Sequence, residues 1–148
     1  MRKIIVTEFI TLDGVIESPG GNETPHPHGG WQFKYRSPEG GKYKMDEVSS
    51  VDALLLGKTT YEAFASSWPG QAGNPFGDQM NRLPKYIVSR SLQKVEWNNS
   101  HILRDVAKDV VGGGLRLFDD HRELKNFRLK HSRAFENGVL ILEYQPVR

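Results

Sequence analysis

The feature that most constrains this chain is the junction at residues 52–61, DALLLGKTTY. A continuous apolar run closes on a glycine, and helical character begins at the next residue. A run of this length between polar flanks reads as a strand buried on both faces. The segment from Lys58 to Ser66 carries Tyr61, Phe64 and Ala65 at helical spacing. A buried strand feeding directly into a helix is the repeating unit of an α/β fold with a parallel sheet.

The rest of the chain fits that frame. Residues 2–12 hold Ile4, Ile5, Val6, Thr7, Phe9, Ile10 and Thr11, which favour a first strand ended by the turn pair Asp13 and Gly14. Residues 84–89 read as another strand and 100–103 as a short one. Met45, Val48 and Val51 recur at three-residue spacing and predict a short helix over 43–51. At the end of the chain, alternating runs at about 125–135 and 138–146 flank Asn137 and Gly138, the strongest short hairpin signal. The predicted class is α/β: a mostly parallel sheet with flanking helices and a C-terminal antiparallel hairpin, formed by 148 residues as one domain. The fifteen glycines and eight prolines cluster at 18–41 and 68–77. Both stretches are expected to be irregular, the first a long mobile loop.

Composition excludes several functions. With no cysteine there is neither a disulfide framework nor a thiolate metal site. His26 and His28 lie in a proline-rich loop without carboxylates at ligand spacing, so no metal site is expected. A net charge of +2 with no basic stripe gives no nucleic-acid surface. The apolar run at the N-terminus is broken by Thr7, Glu8 and Thr11, and no segment reaches the roughly 20 apolar residues of a membrane span. The chain is expected to be cytosolic and not membrane-bound.

Ligands of α/β sheets bind at the carboxyl ends of the strands, and three such places carry suitable chemistry. After Gly57, the free N–H groups of a first helical turn, the Lys58 ammonium and the Thr59 and Thr60 hydroxyls could hold a phosphate. The plain alternative is a turn with a threonine cap. After Val88, the sequence Ser89, Arg90, Ser91 sets a guanidinium fork between two hydroxyls, a match to a phosphate monoester or simply a solvated loop. The triple glycine 112–114 permits close backbone approach to a ligand, or a bare turn. Asp13 is the one carboxylate at a strand end that could relay a proton or orient a substrate; more often such an aspartate only shapes its turn.

Taken together, IIVTEFITLDGVIE (4–17), LLLGKTTYEAFASSWP (54–69), KYIVSRSL (85–92), GGGLRLF (112–118) and SRAFENGVLILEYQPVR (132–148) resemble the dihydrofolate reductase-like family. Within it, the resemblance is to the branch similar to the C-terminal reductase domain of the bifunctional riboflavin-biosynthesis deaminase/reductase. The family's Gly-Arg-x-Thr-Tyr motif falls on Gly57, Lys58, Thr60 and Tyr61. The resemblance therefore implies an NADPH groove, with Gly57, Lys58, Thr59 and Thr60 near cofactor phosphates. It also implies Ser89, Arg90 and Ser91 at the adenosine 2′-phosphate, and Asp13 on the nicotinamide and substrate side. Lysine stands at 58 where relatives more often have arginine.

The resemblance also implies a missing segment near 110–112. Relatives carry roughly forty residues before the triple glycine, including a Gly-Ser turn that cradles the cofactor pyrophosphate at a helix N-terminus. Removing them would uncover strand edges and an apolar sheet face, which favours a homodimer. Two functions follow as expectations: an NADPH-dependent reductase of a small heterocyclic or carbonyl substrate, or a non-catalytic dimeric nucleotide-binding domain of the same fold.

Overall fold

A computed structural model describes residues 3–21, 23–104 and 126–147. Three short strands, β1 (Leu54–Gly57), β2 (Lys85–Val88) and β3 (Ser100–Leu103), form a parallel sheet in the order β1-β2-β3. Three α-helices serve it: α1 (Pro38–Ser49), α2 (Lys58–Ser67) and α3 (Pro75–Arg82). The last two strands, β4 (Phe127–Ala134) and β5 (Leu140–Pro146), pair antiparallel as a separate two-stranded sheet. The predicted class holds: a parallel sheet, flanking helices and a C-terminal hairpin.

Register assigns the faces of the parallel sheet. Leu54, Lys85 and Ser100 lie side by side, as do Leu56, Ile87 and Ile102, and these two rows face inward. Ile87 is fully buried and packs with Val48, Tyr61, Met80, Leu83 and Trp97 to form the core, with Leu54, Leu56, Met45 and Phe64 around them. The opposite face carries Leu55, Tyr86 and His101 in one row, and all three are exposed. The expectation that β1 is buried on both faces is therefore corrected. Its residues alternate between half-buried and exposed, because the described helices cover only one side of the sheet.

The expected first strand is also corrected. Among the described residues, 3–10 form no ladder, and their side chains are exposed, Ile4 at 76% and Val6 at 71%. Composition makes a segment competent for a sheet, but a strand exists only where a neighbour supplies N–H and C=O groups. Here the segment instead touches α1: Lys44 donates to the Thr7 hydroxyl at 2.9 Å and lies over the Phe9 ring.

Residues 18–41 are more structured than their composition suggests. The Ser18 hydroxyl, buried, donates to the Thr24 carbonyl at 2.8 Å, while Gly20 N–H donates to Glu23 at 2.9 Å. Thr24 donates to Glu17, and the Trp31 indole N–H reaches the Glu17 carbonyl at 3.0 Å. Side chains thus close the loop where no periodic pattern exists to be read. A 3₁₀ turn over Trp31–Tyr35 follows, and α1 then begins at Pro38, five residues before the predicted start. Ser37 is its N-cap, accepting from Gly40 N–H at 3.1 Å, with proline at the first helical position.

The stretch 68–77 likewise hides structure. Asn74 caps α3 by accepting from Phe76 N–H at 3.0 Å, again with proline at the first position. Gly77 is required there, since a β-carbon would stand 2.5 Å from the Gln71 carbonyl oxygen. The triple glycine 112–114 and the proposed deletion point lie outside the described residues.

Candidate functional site

The parallel sheet ends in one register: Gly57, Val88 and Leu103 are Cα partners across the three strands. The residues that follow each strand are therefore carried to the same edge. They are Lys58 after β1, Ser89 to Ser91 after β2, and Arg104 after β3. Two segments chosen from sequence are brought together by this alignment. Both lie where a parallel sheet offers its ligand crevice.

At the first, Gly57 is the N-cap of α2 with φ −77° and makes no side-chain cap hydrogen bond. The first N–H groups of α2 are thus free of a side-chain cap and sit at the positive end of the helix dipole. A β-carbon on Gly57 would meet nothing within 4 Å, so neither backbone angle nor packing within the described chain demands glycine here. What glycine leaves is open space over the start of α2, where a ligand can come close to the backbone. Lys58, Thr59 and Thr60 are all exposed around it. The Lys58 ammonium is 3.8 Å from the Glu62 carboxylate one turn on, a long, exposed ion pair that holds it only weakly and leaves it able to turn toward an anion.

At the second, Ser89 is buried and its hydroxyl accepts from Leu92 N–H at 3.0 Å, which turns the chain back after β2. That turn leaves Arg90 and Ser91 exposed at the sheet edge. Ser89 is thus occupied as a turn former, while Arg90 and Ser91 present their side chains outward. Arg104 was not read from the sequence. Its guanidinium donates to the carbonyls of Ser89 and Arg90, both at 3.0 Å, and so braces the turn while adding a third cation to the edge. Only the parallel pairing of β2 and β3 reveals it. The one available sequence signal was an arginine immediately after a short apolar run.

Beside this edge, a cleft of about 530 Å³ opens between α2 and the loop 92–97. Tyr61, Glu62, Ala65, Leu92, Gln93 and Trp97 line it. Its wall is fixed from within: the Tyr61 hydroxyl accepts from the N–H groups of Glu96 and Trp97 at 3.0 and 3.2 Å. The motif tyrosine therefore acts as a brace that ties α2 to the 92–97 loop.

Behind that loop lies Lys85, a lysine with no exposed surface at an inward-facing strand position. Its ammonium donates to the carbonyls of Asn81 at 2.8 Å and Asn98 at 3.2 Å and lies 4.0 Å from the centre of the Trp97 ring. Asn81 is in the last turn of α3, where carbonyls lack helical partners and the dipole is negative, so the lysine closes that helix end. Burial lowers its pKa to about 8.

Asp13 sits apart. It lies in an exposed turn in which Gly14 N–H donates to the Thr11 carbonyl at 3.0 Å and Gly14 takes φ +87°. The Thr11 hydroxyl donates to its carboxylate and holds its pKa below the ordinary value. Among the described residues it shares no hydrogen bond, ion pair or cavity with the strand-end cations. No group of three or more metal-ligating side chains occurs among the described residues, and none of their helices is long and apolar enough to cross a membrane.

The alignment of glycine-ended strand, open helix start and Ser-Arg-Ser turn lies within residues 2–110, and over those residues the sequence matches the RibD C-terminal domain. The chain belongs to the RibD C-terminal domain family. This places it with the reductase domains of riboflavin biosynthesis, and it includes all three parallel strands and their carboxyl edge. The fold is also similar to the crystal structure of a proposed riboflavin biosynthesis protein from Shewanella sp. PV-4. That likeness has a TM-score of 0.64 at 14% identity and covers 94% of this chain and 96% of the other. No curated protein matches the sequence.

Proposed function

We propose that this RibD C-terminal-type domain is an NADPH-dependent, cytosolic reductase of a small heterocyclic or carbonyl substrate. The observation that carries the reading is the convergence of Lys58, Arg90 and Arg104 with the uncapped start of α2 at one sheet edge. Three cations and a helix N-terminus suit an ligand with several phosphates, and NADPH differs from NADH by the 2′-phosphate that an exposed arginine fork would bind. The residues fit the group. Gly57, Lys58, Thr59 and Thr60 would hold one phosphate, and Arg90 with Ser91 another, on a turn shaped by Ser89 and braced by Arg104.

The nicotinamide supplies the hydride, so the chain's own task is to bind, orient and exclude water. Asp13, kept ionised by Thr11, would orient a polar substrate by accepting hydrogen bonds rather than by donating a proton. A second reading, a dimeric nucleotide-binding domain without turnover, is favoured by one observation: Asp13 stands in an exposed turn and shares no cavity with the cations.

Titration of the chain with NADPH and NADH, followed by thermal shift, tests the binding. NADPH is expected to stabilise the protein more than NADH. Arg90→Ala should weaken NADPH binding by about tenfold or more and remove the preference, as loss of a charge-assisted pair to phosphate does. Gly57→Ala should leave the fold intact, since the space is open and φ is ordinary, yet weaken the nucleotide. Absence of any shift with NADPH would overturn the proposal. Binding without oxidation of NADPH across flavin-precursor and carbonyl substrates would establish the second reading instead.

A further inference from the structure

The turn between β4 and β5 holds a pair of groups that can react with each other. Seven asparagines occur in the sequence, and only Asn137 is followed by glycine. The side-chain amide of an asparagine is open to attack by the backbone nitrogen of the next residue, which closes a succinimide ring. A side chain on that next residue hinders the approach, and Gly138 has none.

In the folded turn every reacting atom is engaged elsewhere. The Gly138 N–H, which carries the attacking nitrogen, donates to the Phe135 carbonyl at 3.0 Å, and Gly138 is held at φ +85°. The Asn137 side-chain nitrogen, which would leave, donates to the Tyr35 carbonyl at 2.6 Å, a contact across 102 positions of sequence. The side-chain oxygen accepts from Val139 N–H at 3.3 Å. Beside them Phe135 is buried against the start of α1, where a β-carbon on Gly40 would stand 3.7 Å from its ring. The turn that holds the reactive pair is therefore also a point at which the hairpin is fastened to the 31–40 segment.

We infer that Asn137 is a self-modification site: it deamidates when this turn opens from the 31–40 segment, and the product no longer fastens the turn. The Gly138 nitrogen bonds to the Asn137 side-chain carbonyl carbon as the bond from that carbon to the amide nitrogen breaks. The proton of the Gly138 N–H leaves with that nitrogen as ammonia. Water then opens the succinimide at either carbonyl and gives aspartate or isoaspartate, with no oxidant or reductant consumed. Both products carry a carboxylate, which only accepts hydrogen bonds at neutral pH. It would meet the Tyr35 carbonyl, another acceptor, where the amide now donates, and the neighbouring Glu136 adds a like charge. Isoaspartate also lengthens the backbone by a methylene inside the loop whose length fixes the register of the two strands. Folding thus protects the amide, and conversion makes the loss of the fastening permanent. The inference rests on the turn alone and is independent of nucleotide binding.

Incubation of the full chain at mildly alkaline pH, folded and in urea, tests the first half, with peptide mass spectrometry reading each asparagine. In urea Asn137 is expected to convert ahead of the other six. In the folded chain its conversion should be slower by about tenfold or more, because opening of the turn must come first. The second half is read by hydrogen exchange on Asn137→Asp, which carries one of the two products. Amides of Phe135, Gly138 and Val139 should exchange several-fold faster in that variant than in the unaltered chain, and faster than in Asn137→Ala, which loses the donor without gaining a charge. Equal conversion of Asn137 in the folded and urea-treated chains would overturn the inference. So would earlier conversion of another asparagine in urea, or exchange in Asn137→Asp no faster than in Asn137→Ala.

Discussion

Lys85 shows how a residue that looks misplaced is explained by its neighbours. In sequence it opens a strand at a position whose partners face the core, where an ammonium without an acid is costly. The structure gives it the last-turn carbonyl of Asn81, the carbonyl of Asn98 and the face of Trp97. These stabilise the cation incompletely, and burial lowers its pKa to about 8 against 10.5 in the unfolded chain. Between these two values the unfolded state binds more protons than the folded state, so stability rises with pH across that window. Below about pH 8 both states are protonated and the full cost of burying the charge is present. Thermal unfolding from pH 7 to 10 should therefore show a midpoint that climbs above pH 8. In Lys85→Met the climb should flatten. A midpoint falling steadily over pH 8–10 in the unaltered chain and matched in the variant would refute the assignment.

At the scale of elements, helix starts are set by caps more than by periodicity. Both α1 and α3 begin with a polar cap followed by proline: Ser37 with Pro38, and Asn74 with Pro75. Each pair was present in a stretch whose glycines and prolines read as irregular. The apolar stripe of α1 lies near its end, at Met45 and Val48, so periodicity marks only the second half of that helix. α3 is only eight residues long, which is too short for a stripe to declare itself. A helix of that length depends on its cap. Asn74→Ala should lower stability by about 1 kcal/mol, measured by urea unfolding, and should do so more than Asn74→Gly. Equal stability for the alanine variant would show that packing of Gln79 and Met80, and not the cap, holds α3 in place.

Across the whole molecule, the parallel sheet and the N-terminal segment make opposite cases. β1, β2 and β3 are short, yet each backbone edge between them is paired and one face is covered by helices. Residues 3–10 have the richer strand composition and no ladder partner among the described residues. Hydrogen exchange should separate them: amides of β2, at the centre of the sheet, should be protected by orders of magnitude, and amides of residues 4–10 should exchange at nearly the rate of an unfolded peptide. Protection of the N-terminal segment comparable to that of β2 would mean that it is paired in solution, by this chain or by another copy.

The short-range parts of this fold were legible from sequence because they depend on local chemistry. The run 54–57 with its glycine, the helix that follows it, the strands near 85 and 100 and the Asn-Gly hairpin each carry their own signal, and each stands where it was expected. The segments after β1 and β2 also share one edge, because consecutive parallel strands of an α/β unit deliver their carboxyl ends to the same side. What only the tertiary structure decided depends on partners distant in the chain. Arg104 joins the sheet edge and braces the Ser89–Arg90 turn through the register of β2 and β3, and Tyr61 becomes a brace through two N–H groups thirty-five and thirty-six positions away. Residues 3–10 find no ladder partner among the described residues although they are suited to one. A side chain's type is written in the sequence, but whether its hydrogen-bonding and apolar surfaces are matched is settled only by what folds against them.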